Sequence, residues 1–571
     1  MKKYVKYLAM IFIIMAGMGV IFYNNLDYTY QMQGDTVSVK ELIQAGTGYE
    51  ISGIDNFDSD NEVIENITFK MTGDDPQFFV CDTGRQTGGI EIILANPCDK
   101  DIPVQVFYAD SADEFKEKNS FKTNISSGEK ICHIPVPLGS YNIIRFDIDG
   151  DFILSDINIC QDSMKVTPYI SENTIKTCTV CCPILAVMII LIFWAHGVRA
   201  KNMSGKAYFK TVLFGKEITS DHDVSLDYLR VLAAVLVILA HSCSPMVEEA
   251  DTSWKRLVLV AGLTIGLCCN LIYCMISGTL LLSSKKEEKV SDFYIRRASR
   301  VIIPLISYYL LLLLLNNEVN FIPPEHIWDS FKRIMTGAPD AAPHLWLIYT
   351  IVALYIVTPF FKVMVQHLGD KMLLSLAVVI FVVNLCTNYM PLFGMSFGFT
   401  NFLAGWDGVF LLGYIMAQPS VRKHDRKLVI TGVIAFVIAV AVVFKDATNM
   451  NYVYNNAPTM ILMSCGIYAI FMRHKEWFAT KANLFIRLCS KYSYAIILIH
   501  WYVLFVIVQG KLHVTAMRFG CIGGIVATVA LTFVICLAIG IIYDNTVVMI
   551  TNVIFEKIVS LFKRNKYKKL K

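Results

Sequence analysis

An arginine and a histidine, eleven residues apart, are the two residues of this chain that most clearly suggest chemistry. Arg230 stands before an apolar run, Val231 to Ala240, and His241 follows that run. On a helix, a rise of about 1.5 Å and a turn of about 100° per residue place the two roughly 16 Å apart along nearly the same face. The spacing predicts that both side chains look into one cavity, with Arg230 near the cytoplasmic face and His241 deeper or towards the outside.

The chemistry that this pair could support is proton transfer. A neutral histidine is a natural general base for a hydroxyl at neutral pH. Ionisable side chains inside a bilayer cost about 2.5–3.5 kcal/mol each on insertion scales, so two on one face indicate a water-filled path or a reaction site. The competing interpretation is a snorkelling arginine and a histidine that is satisfied by a neighbouring helix. The spacing alone does not decide between a reaction site and this structural interpretation.

A second basic group, Arg296, Arg297 and Arg300, stands just before an apolar run that contains Pro304. If the segment is helical, spacings of three and four residues place Arg296 and Arg297 beside Arg300. Guanidinium groups at a membrane boundary can bind the phosphates of a nucleotide-containing cofactor. The alternative is that the cluster sets the membrane topology and contacts lipid headgroups.

Four further residues are weaker candidates for an acceptor-side or structural role. Ser277, with Gly278, ends an apolar run and could allow close helix packing. His344 and Trp346 mark an outer membrane interface, where aromatic residues are common. His500 lies inside a late apolar run, where its ordinary role would be a hydrogen bond to another helix.

The composition defines the class of protein. The 571-residue chain is 55% hydrophobic and 17% charged, with a mean hydropathy of +0.51. It is too apolar for a soluble protein of this length, and a polytopic α-helical membrane protein is predicted. The net charge of +4 is small, and the basic residues lie in short loops, so no nucleic-acid partner is expected. The cysteines have no convincing metal-site spacing, and no metal is expected.

The N-terminal third differs from the rest. Residues 1–24 combine early lysines with an apolar run and are interpreted as an uncleaved membrane anchor, with a signal peptide as the alternative. Residues 25–176 are rich in turn residues and alternate polar with apolar positions, which predicts a single extracytoplasmic β-sandwich. Runs of strand composition lie at 78–80, 89–94, 104–108 and 142–148.

The β-domain is expected to bind a ligand or to cover the membrane part, and not to catalyse a reaction. It holds one histidine, His133, and no GxSxG motif, so a serine-hydrolase triad is poorly supported. Its four cysteines could form two disulfides in three alternative pairings. These are Cys81, Cys98, Cys132 and Cys160.

The remaining chain divides into a second membrane helix at 177–198, a basic cytoplasmic linker at 199–223, a membrane domain at 224–545 and a basic cytoplasmic tail at 546–571. The membrane domain has ten apolar runs, at 224–243, 257–282, 301–316, 345–361, 372–390, 403–418, 428–444, 456–472, 492–509 and 518–541. Several can cross a hydrocarbon core of about 30 Å. Positive charges concentrate in alternate loops, which predicts a cytoplasmic C-terminus.

Five segments, taken in order, resemble the acyltransferase 3 family of integral membrane acyltransferases. They are residues 225–241, similar to the family's motif of arginine, ten residues and histidine; 273–278, similar to FFxxSG with Tyr273 and Cys274 in place of the phenylalanines; 293–304, a basic loop; 344–359, an HLWFLY-like span; and 493–500, a SYxxYLxH-like segment. The resemblance covers roughly residues 222–545 and implies a ten-helix bundle, preceded here by the anchor, the β-sandwich and the linking helix.

The resemblance also implies an activity. Such enzymes take an acyl group, commonly acetyl from cytoplasmic acetyl-CoA, and transfer it to a glycan or another acceptor outside or within the membrane. His241 would be the catalytic histidine, as a base or as a transient acyl carrier, and Arg230 would orient the donor or the histidine. Arg296, Arg297 and Arg300 would contact the CoA phosphates.

We therefore expect a plasma-membrane O-acyltransferase, in the first instance an O-acetyltransferase. Its expected acceptor is a cell-surface polysaccharide or a lipid-linked precursor, and its other partners are acyl-CoA and membrane lipids. A membrane transporter that exports a glycan or a small molecule is the alternative. The two hypotheses differ in whether acyl transfer takes place and depends on His241.

Overall fold

The structure is a computed structural model, and it describes residues 2–57, 63–73, 76–111, 115, 119–215, 222–247, 250–284, 288–315, 328, 332–333, 336–337, 342–395, 403–446, 452–454, 456–480 and 483–569. The chain forms two units, Met1–Ile190 and Leu191–Lys571. The first is built mainly of strands and the second of helices.

The N-terminal unit begins with helix α1 at Lys2–Asn24 and continues as a β-domain. The described strands are β1 Asp27–Gln31, β2 Thr36–Ser38, β3 Ile43–Ala45, β4 Tyr49–Phe57, β5 Val63–Met71, β6 Phe78–Cys81, β7 Gln86–Ala95, β8 Ile102–Ala109, β9 Ser120–Ile125, β10 Ile131–Ser140, β11 Ile143–Ile148, β12 Phe152–Cys160 and β13 Lys165–Tyr169. The four runs predicted as strands lie in β6, β7, β8 and β11, so that prediction is confirmed.

Two antiparallel sheets share one hydrophobic core, as a sandwich requires. One sheet has the order β10-β7-β12-β5-β4, with β2 also paired to β12, and the other has the order β3-β6-β11-β8-β9; β1 and β13 form a separate ribbon. Along β11, Ile144, Phe146 and Ile148 are buried and alternate with more exposed residues. This period of two places one face of the strand on the core, where Phe78 stacks on Phe146 at 4.8 Å between ring centroids.

The β-domain contains neither of the two disulfides that its cysteines could form, because all four are free thiols in the structure. Cys132 lies opposite Ile92 and Cys160 opposite Gly89, on the two sides of β7. Two strand spacings of about 4.8 Å separate their backbones, whereas the Cα atoms of a disulfide lie within about 6.8 Å. Burial raises the pKa of the Cys132 thiol to about 12, so this thiol stays protonated at neutral pH.

The second unit is helical, and its first helix begins in the N-terminal unit. The described helices are α2 Glu172–Arg199, α3 Gly205–Phe214, α4 Val224–Cys243, α5 Ser253–Gly266, α6 Cys268–Leu282, α7 Val290–Arg297, α8 Ile303–Leu315, α9 Trp346–Gln366, α10 Asp370–Asn388, α11 Trp406–Met416, α12 Pro419–Arg422, α13 Asp425–Lys445, α14 Pro458–Arg473, α15 Lys475–Thr480, α16 Leu484–Tyr502, α17 Cys521–Tyr543 and α18 Met549–Lys569. Short 3₁₀ turns occupy Ser244–Met246, Pro343–Leu345 and Met390–Phe393, and π-helical segments occupy Ala298–Ile302, Val503–Lys511 and Asp544–Val548.

In the described part of the chain, each predicted apolar run overlaps a helix. By length and composition, eight helical segments of the described chain can cross a membrane. The runs at 301–316, 403–418 and 456–472 correspond to the shorter helices α8, α11 and α14, which are not among those eight. The chain is a multi-pass membrane protein, and the number of ten crossings in residues 224–545 stays a prediction.

The regions interpreted as a linker and a tail also contain helices. Helix α3 lies inside 199–223, and the side chain of its N-cap, Ser204, accepts a hydrogen bond from the backbone N–H of Ala207. Helix α18 covers most of 546–571 and extends α17 through a π-helical segment. Lysines interrupt the apolar pattern of both helices, so neither was predicted from the sequence.

Helix α6 is fixed against α11 by two glycines. A Cβ built on Gly278 would lie 1.8 Å from the Phe410 carbonyl oxygen, and one on Gly413 would lie 2.0 Å from that of Met275. The close packing expected at Gly278 is therefore present. It brings the two backbones into contact and sets the position of α6, which carries residues of both cavities described next.

Candidate active site

The structure brings together three histidines that are far apart in the sequence. His241 near the end of α4, His344 in the turn before α9 and His500 near the end of α16 form one cluster. The ring centroids of His241 and His500 are 5.4 Å apart, and those of His344 and His500 are 5.0 Å apart. Trp501 packs on the rings of His241 and His344, at 5.0 and 5.7 Å.

Two of these histidines are held in defined tautomers by backbone carbonyls. His344 places Nε2 3.1 Å from the Leu498 carbonyl oxygen, and His500 places Nδ1 2.7 Å from that of Ile497. A carbonyl only accepts, so these nitrogens carry the hydrogen. The other two nitrogens, His344 Nδ1 and His500 Nε2, are buried acceptors without a partner in the described part of the chain. A buried unpaired polar atom costs about 1–3 kcal/mol.

His241 is the most accessible of the three. It is only half-buried, and no described residue makes a hydrogen bond with its ring. It lines a cavity of about 130 Å³, the histidine cavity, together with His344 and His500. Both nitrogens of the His241 imidazole are therefore available to a bound molecule. Among the described residues, no group of three or more histidine, cysteine, aspartate or glutamate side chains is arranged as a metal site.

The rest of the histidine cavity has a partly buried polar wall and an aromatic mouth. Asn270 and Tyr273 of α6 line the wall. Trp346 and Tyr454 line the cavity and are 38% and 57% exposed, and the ring of Trp406 lies 5.3 Å from that of Trp346. The cavity is thus polar at its base and aromatic where it opens.

Arg230 does not line the histidine cavity, contrary to the prediction from spacing. Its Nη1 donates to Oδ1 of Asp227 at 3.0 Å, one turn earlier on α4. Asp227 is only 5% exposed, and it also accepts from Oγ of Ser490 at 2.7 Å and contacts Nε2 of His222 at 2.5 Å. This carboxylate holds the guanidinium at the start of α4.

The sequence singled out Arg230 but indicated no role for Asp227 or Ser490. An aspartate three residues before an arginine on a helix is a recognisable ion pair, so the contact between Asp227 and Arg230 could have been predicted from the sequence. The contact between Asp227 and Ser490 could not, because 263 residues separate them. Tyr273 was noted only as a substitution for a phenylalanine, and Asn270 was not singled out.

The three arginines of the second cluster converge on a larger cavity. Arg296, Arg297 and Arg300 line a space of about 420 Å³, the basic cavity, with Lys362 of α9 and the acidic Glu288. Glu288 forms an ion pair with Arg296. The π-helical segment Ala298–Ile302 carries Arg300, and such segments are frequent at functional sites.

Arg297 is the most constrained arginine of the basic cavity. Its guanidinium lies 5.3 Å from the ring centroid of Phe293 and 5.5 Å from that of Tyr355. Its Nε is buried without a hydrogen-bond partner in the described chain. Two aromatic faces thus orient a guanidinium that retains an unused donor, which suits the recognition of an oxyanion.

The two cavities lie towards opposite ends of the same two helices. On α6, Tyr273 lines the histidine cavity and Leu280 the basic cavity; on α9, Leu347 lines the first and Thr358 the second. At about 1.5 Å per residue, these separations are roughly 10 and 17 Å along the helices. Ser277 lies between them on α6 and belongs to the lining of neither.

Comparisons with known proteins identify a family for the membrane domain. The model of the acyltransferase 3 family, described as an acyltransferase domain, matches residues 223–543. No curated protein matches the chain. Among solved structures, it is similar to the Clostridium thermocellum endo-1,4-beta-D-xylanase 10B (CBM22-1 and GH10 modules, complexed with xylohexaose) at 14% identity, over 24% of this chain and 28% of that chain, with a TM-score of 0.17. So low a TM-score carries no information about function.

The family match includes the arginine and histidine of α4, all six residues of the histidine and arginine clusters, and both cavities. It covers more than half of the chain. The chain is a member of the acyltransferase 3 family of membrane acyltransferases.

Proposed function

We propose that this protein is an O-acyltransferase that takes an acyl group, in the first instance acetyl, from cytoplasmic acetyl-CoA and transfers it to a hydroxyl of a cell-surface polysaccharide or its lipid-linked precursor. The observation that carries the proposal is the pair of cavities on α6 and α9. Acyl-CoA has phosphates at one end and a thioester at the other, joined by a flexible arm. A basic cavity and a histidine cavity on shared helices match those two ends.

The basic cavity is the proposed site for the phosphates. Arg296, Arg297 and Arg300 supply planar guanidinium groups, which suit phosphate oxygens. Arg297 has a buried Nε without a partner in the described chain, so a phosphate oxygen would satisfy a donor that is otherwise unpaired. Arg230, anchored by Asp227, would orient the donor at the start of α4.

The histidine cavity is the proposed site of acyl transfer. As a general base, His241 would accept the proton of the acceptor hydroxyl while the hydroxyl oxygen attacks the acyl carbon. The proton would then pass to the departing CoA thiolate. In the alternative route, His241 would itself carry the acyl group for a short time. Its ring is available for this, because no described residue makes a hydrogen bond with either ring nitrogen. The unpaired acceptors of His344 and His500 could receive a hydrogen bond from the hydroxyl or from the His241 ring.

A carbohydrate acceptor is supported by the aromatic mouth of the histidine cavity. Trp346, Trp406 and Tyr454 offer flat apolar faces, and a sugar ring combines an apolar C–H face with hydroxyls at its edge. Aromatic residues combined with a few placed polar groups are typical of small-ligand sites.

The membrane arrangement follows from the same proposal. The histidine cavity would open towards the extracytoplasmic side, with the β-domain at 25–176 on that side. The first helix would anchor the chain in the plasma membrane, residues 177–198 would return it to the cytoplasm through the linker at 199–223, and the segment 546–571 would end in the cytoplasm. Basic residues in alternate loops support this orientation.

The direct test is labelling of surface glycans in cells fed with labelled acetate. Cells would express wild type, His241→Ala or His474→Ala at matched levels; His474 is an exposed histidine outside both cavities. We expect label with wild type and His474→Ala, and none with His241→Ala, while glycan export is equal in all three. Label that persists in His241→Ala would contradict the proposal. Absence of label in every strain, with export reduced in His241→Ala, would favour the transporter.

A further inference from the structure

The histidine cavity contains a buried hydroxyl that no described residue hydrogen-bonds. Tyr273 is 8% exposed, and its phenol oxygen makes no hydrogen bond with any described residue. The same side chain lines the cavity with His241. A buried hydroxyl is rarely left unpaired in a folded protein, so a bound molecule is the natural partner for this one.

The identity of residue 273 makes the hydroxyl informative. The resemblance of 273–278 to the FFxxSG element places Tyr273 where a phenylalanine is usual. A phenylalanine would fill nearly the same space and would leave no unpaired polar atom. The hydroxyl is therefore not needed for packing, and it adds one hydrogen-bond donor to the cavity of this particular chain.

A second donor lies one helical turn away. Asn270 is three residues before Tyr273 on α6, so the two share a face, and both line the histidine cavity. The Cys269 thiol donates to Oδ1 of Asn270 at 3.5 Å. This contact occupies the oxygen of the amide, and the Nδ2 group has no partner among the described residues.

The polar atoms of the cavity thus divide by type. His344 Nδ1 and His500 Nε2 are acceptors, as the carbonyls that fix their tautomers require. Tyr273 and Asn270 contribute donors from α6, on the partly buried wall. An acyl transfer needs both types: acceptors near the hydroxyl that loses its proton, and donors near the carbonyl oxygen that gains negative charge.

We propose that the Tyr273 hydroxyl and the Asn270 amide form an oxyanion hole for the acyl transfer, an inference that rests on the proposed function above. The acceptor oxygen bonds to the acyl carbon, its proton moves to His241, and the carbonyl π electrons move to the carbonyl oxygen. That oxygen accepts hydrogen bonds from the two donors. The C–S bond then breaks, the carbonyl re-forms, and the CoA sulfur takes its electron pair and the proton from His241.

The first test is the single-atom substitution Tyr273→Phe. Inside-out membrane vesicles with their own acceptors are supplied with labelled acetyl-CoA, and the rate is measured over a range of donor concentrations. We expect a maximal rate about 100-fold lower than wild type, as when one oxyanion donor is removed, with the KM for acetyl-CoA within twofold. A maximal rate equal to that of wild type, or a rate that recovers at saturating acetyl-CoA, would overturn the proposal.

Tyr468→Phe is the matched control. It removes another buried phenol hydroxyl, which pairs with Oγ1 of Thr279 and lies outside both cavities. We expect Tyr468→Phe to lower the melting temperature and leave the maximal rate unchanged. Tyr273→Phe should leave the melting temperature unchanged and lower the maximal rate, because the hydroxyl that it removes has no hydrogen-bond partner among the described residues. A fall in melting temperature in Tyr273→Phe that accounts for its lost rate would contradict a role in transfer.

A tetrahedral analogue gives a readout that a structural role would not change. A trifluoromethyl ketone analogue of acetyl-CoA forms a tetrahedral adduct and should bind Tyr273→Phe and Asn270→Ala more weakly than wild type, while acetyl-CoA affinity stays the same. Equal inhibition of wild type and both variants would overturn the oxyanion assignment. His241→Ala in the same vesicles separates the two claims: retained transfer there would refute the proposed function, whereas loss there with a fully active Tyr273→Phe would refute the oxyanion hole alone.

Discussion

The two cavities of the membrane domain differ in how their polar groups are satisfied. The histidine cavity is small, at about 130 Å³, and contains buried atoms on His344, His500 and Tyr273 that have no hydrogen-bond partner among the described residues. The basic cavity is larger, at about 420 Å³, and its cations are partly balanced, by Glu288 on Arg296 and by aromatic faces on Arg297. The histidine cavity therefore resembles a site whose hydrogen bonds are completed by a reacting molecule. The basic cavity resembles a site that binds a charged molecule.

This difference predicts a division of labour. Substitutions in the histidine cavity should lower the maximal rate, because they remove groups that act in the transition state. Substitutions in the basic cavity should raise the KM for the donor, because they remove ground-state binding. The maximal rate and the donor KM of variants in each cavity test whether the two functions are divided in this way.

The largest effect is expected for a substitution on α6, the helix that contributes residues to both cavities. Gly278→Ala would place a methyl group against the Phe410 carbonyl oxygen and force α6 and α11 apart, at a cost of about 3 kcal/mol or more. Since α6 lines both cavities, donor binding and transfer should fall together, with little folded protein in size-exclusion chromatography. Ser277→Ala, at the adjacent position, should behave as wild type. Normal folding of Gly278→Ala would show that the close packing is not required.

The next effect concerns the basic cavity. Arg297→Gln keeps much of the side-chain volume and removes the charge held between Phe293 and Tyr355. We expect the KM for acetyl-CoA to rise 10- to 100-fold, which is about 1.4–2.7 kcal/mol, with a nearly unchanged maximal rate. Arg426→Gln, an exposed arginine outside both cavities, is the control. A fall in maximal rate without a change in KM would contradict a phosphate-binding role.

A smaller effect is expected at the start of α4, in residues that line neither cavity. Asp227→Asn keeps a group that can bond Ser490 but removes the charge that holds Arg230. The arginine should lose its fixed orientation, and transfer should fall about tenfold, since hydrogen bonds to charged groups contribute about 1.5–3 kcal/mol. The readout is the initial rate, with Ser490→Ala as a comparison that leaves the ion pair in place. If Ser490→Ala is the more damaging variant, packing at Asp227 matters more than the position of Arg230.

The smallest effect should appear at the aromatic mouth. Trp346→Phe keeps an aromatic ring but reduces the face next to Trp406. We expect acceptors of different sugar type to change in relative rate by a fewfold, while the donor KM is unchanged. Competition between two defined oligosaccharides, followed by mass spectrometry, measures the ratio. An altered KM for acetyl-CoA would indicate that Trp346 contributes to donor binding, which would contradict its assignment to the acceptor.

The sequence predicted the parts of this arrangement that depend on local pattern. Alternation identified β6, β7, β8 and β11, and apolar runs coincided with helices. The spacing of Arg296, Arg297 and Arg300 indicated one cluster, and they do line one cavity. In each case, the period of the backbone decides which side chains share a face.

The parts that escaped prediction depend on tertiary contacts. The meeting of His241, His344 and His500 requires α4, α16 and the turn before α9 to pack together, and no local pattern encodes it. Arg230 was expected to look into the same cavity as His241, but its guanidinium is bound by Asp227, one turn earlier on α4. The free hydroxyl of Tyr273 could not be predicted from the sequence either, because only the packed structure shows that no described residue hydrogen-bonds it.

The central claim is that one donor is bound in the basic cavity and reacts in the histidine cavity. It is tested most directly by measuring acetyl-CoA affinity and CoA release in the same purified preparations in nanodiscs. For His241→Ala, the account predicts an acetyl-CoA dissociation constant within twofold of wild type and no CoA release above background. Loss of acetyl-CoA binding in His241→Ala, or CoA release at the wild-type rate, would contradict it.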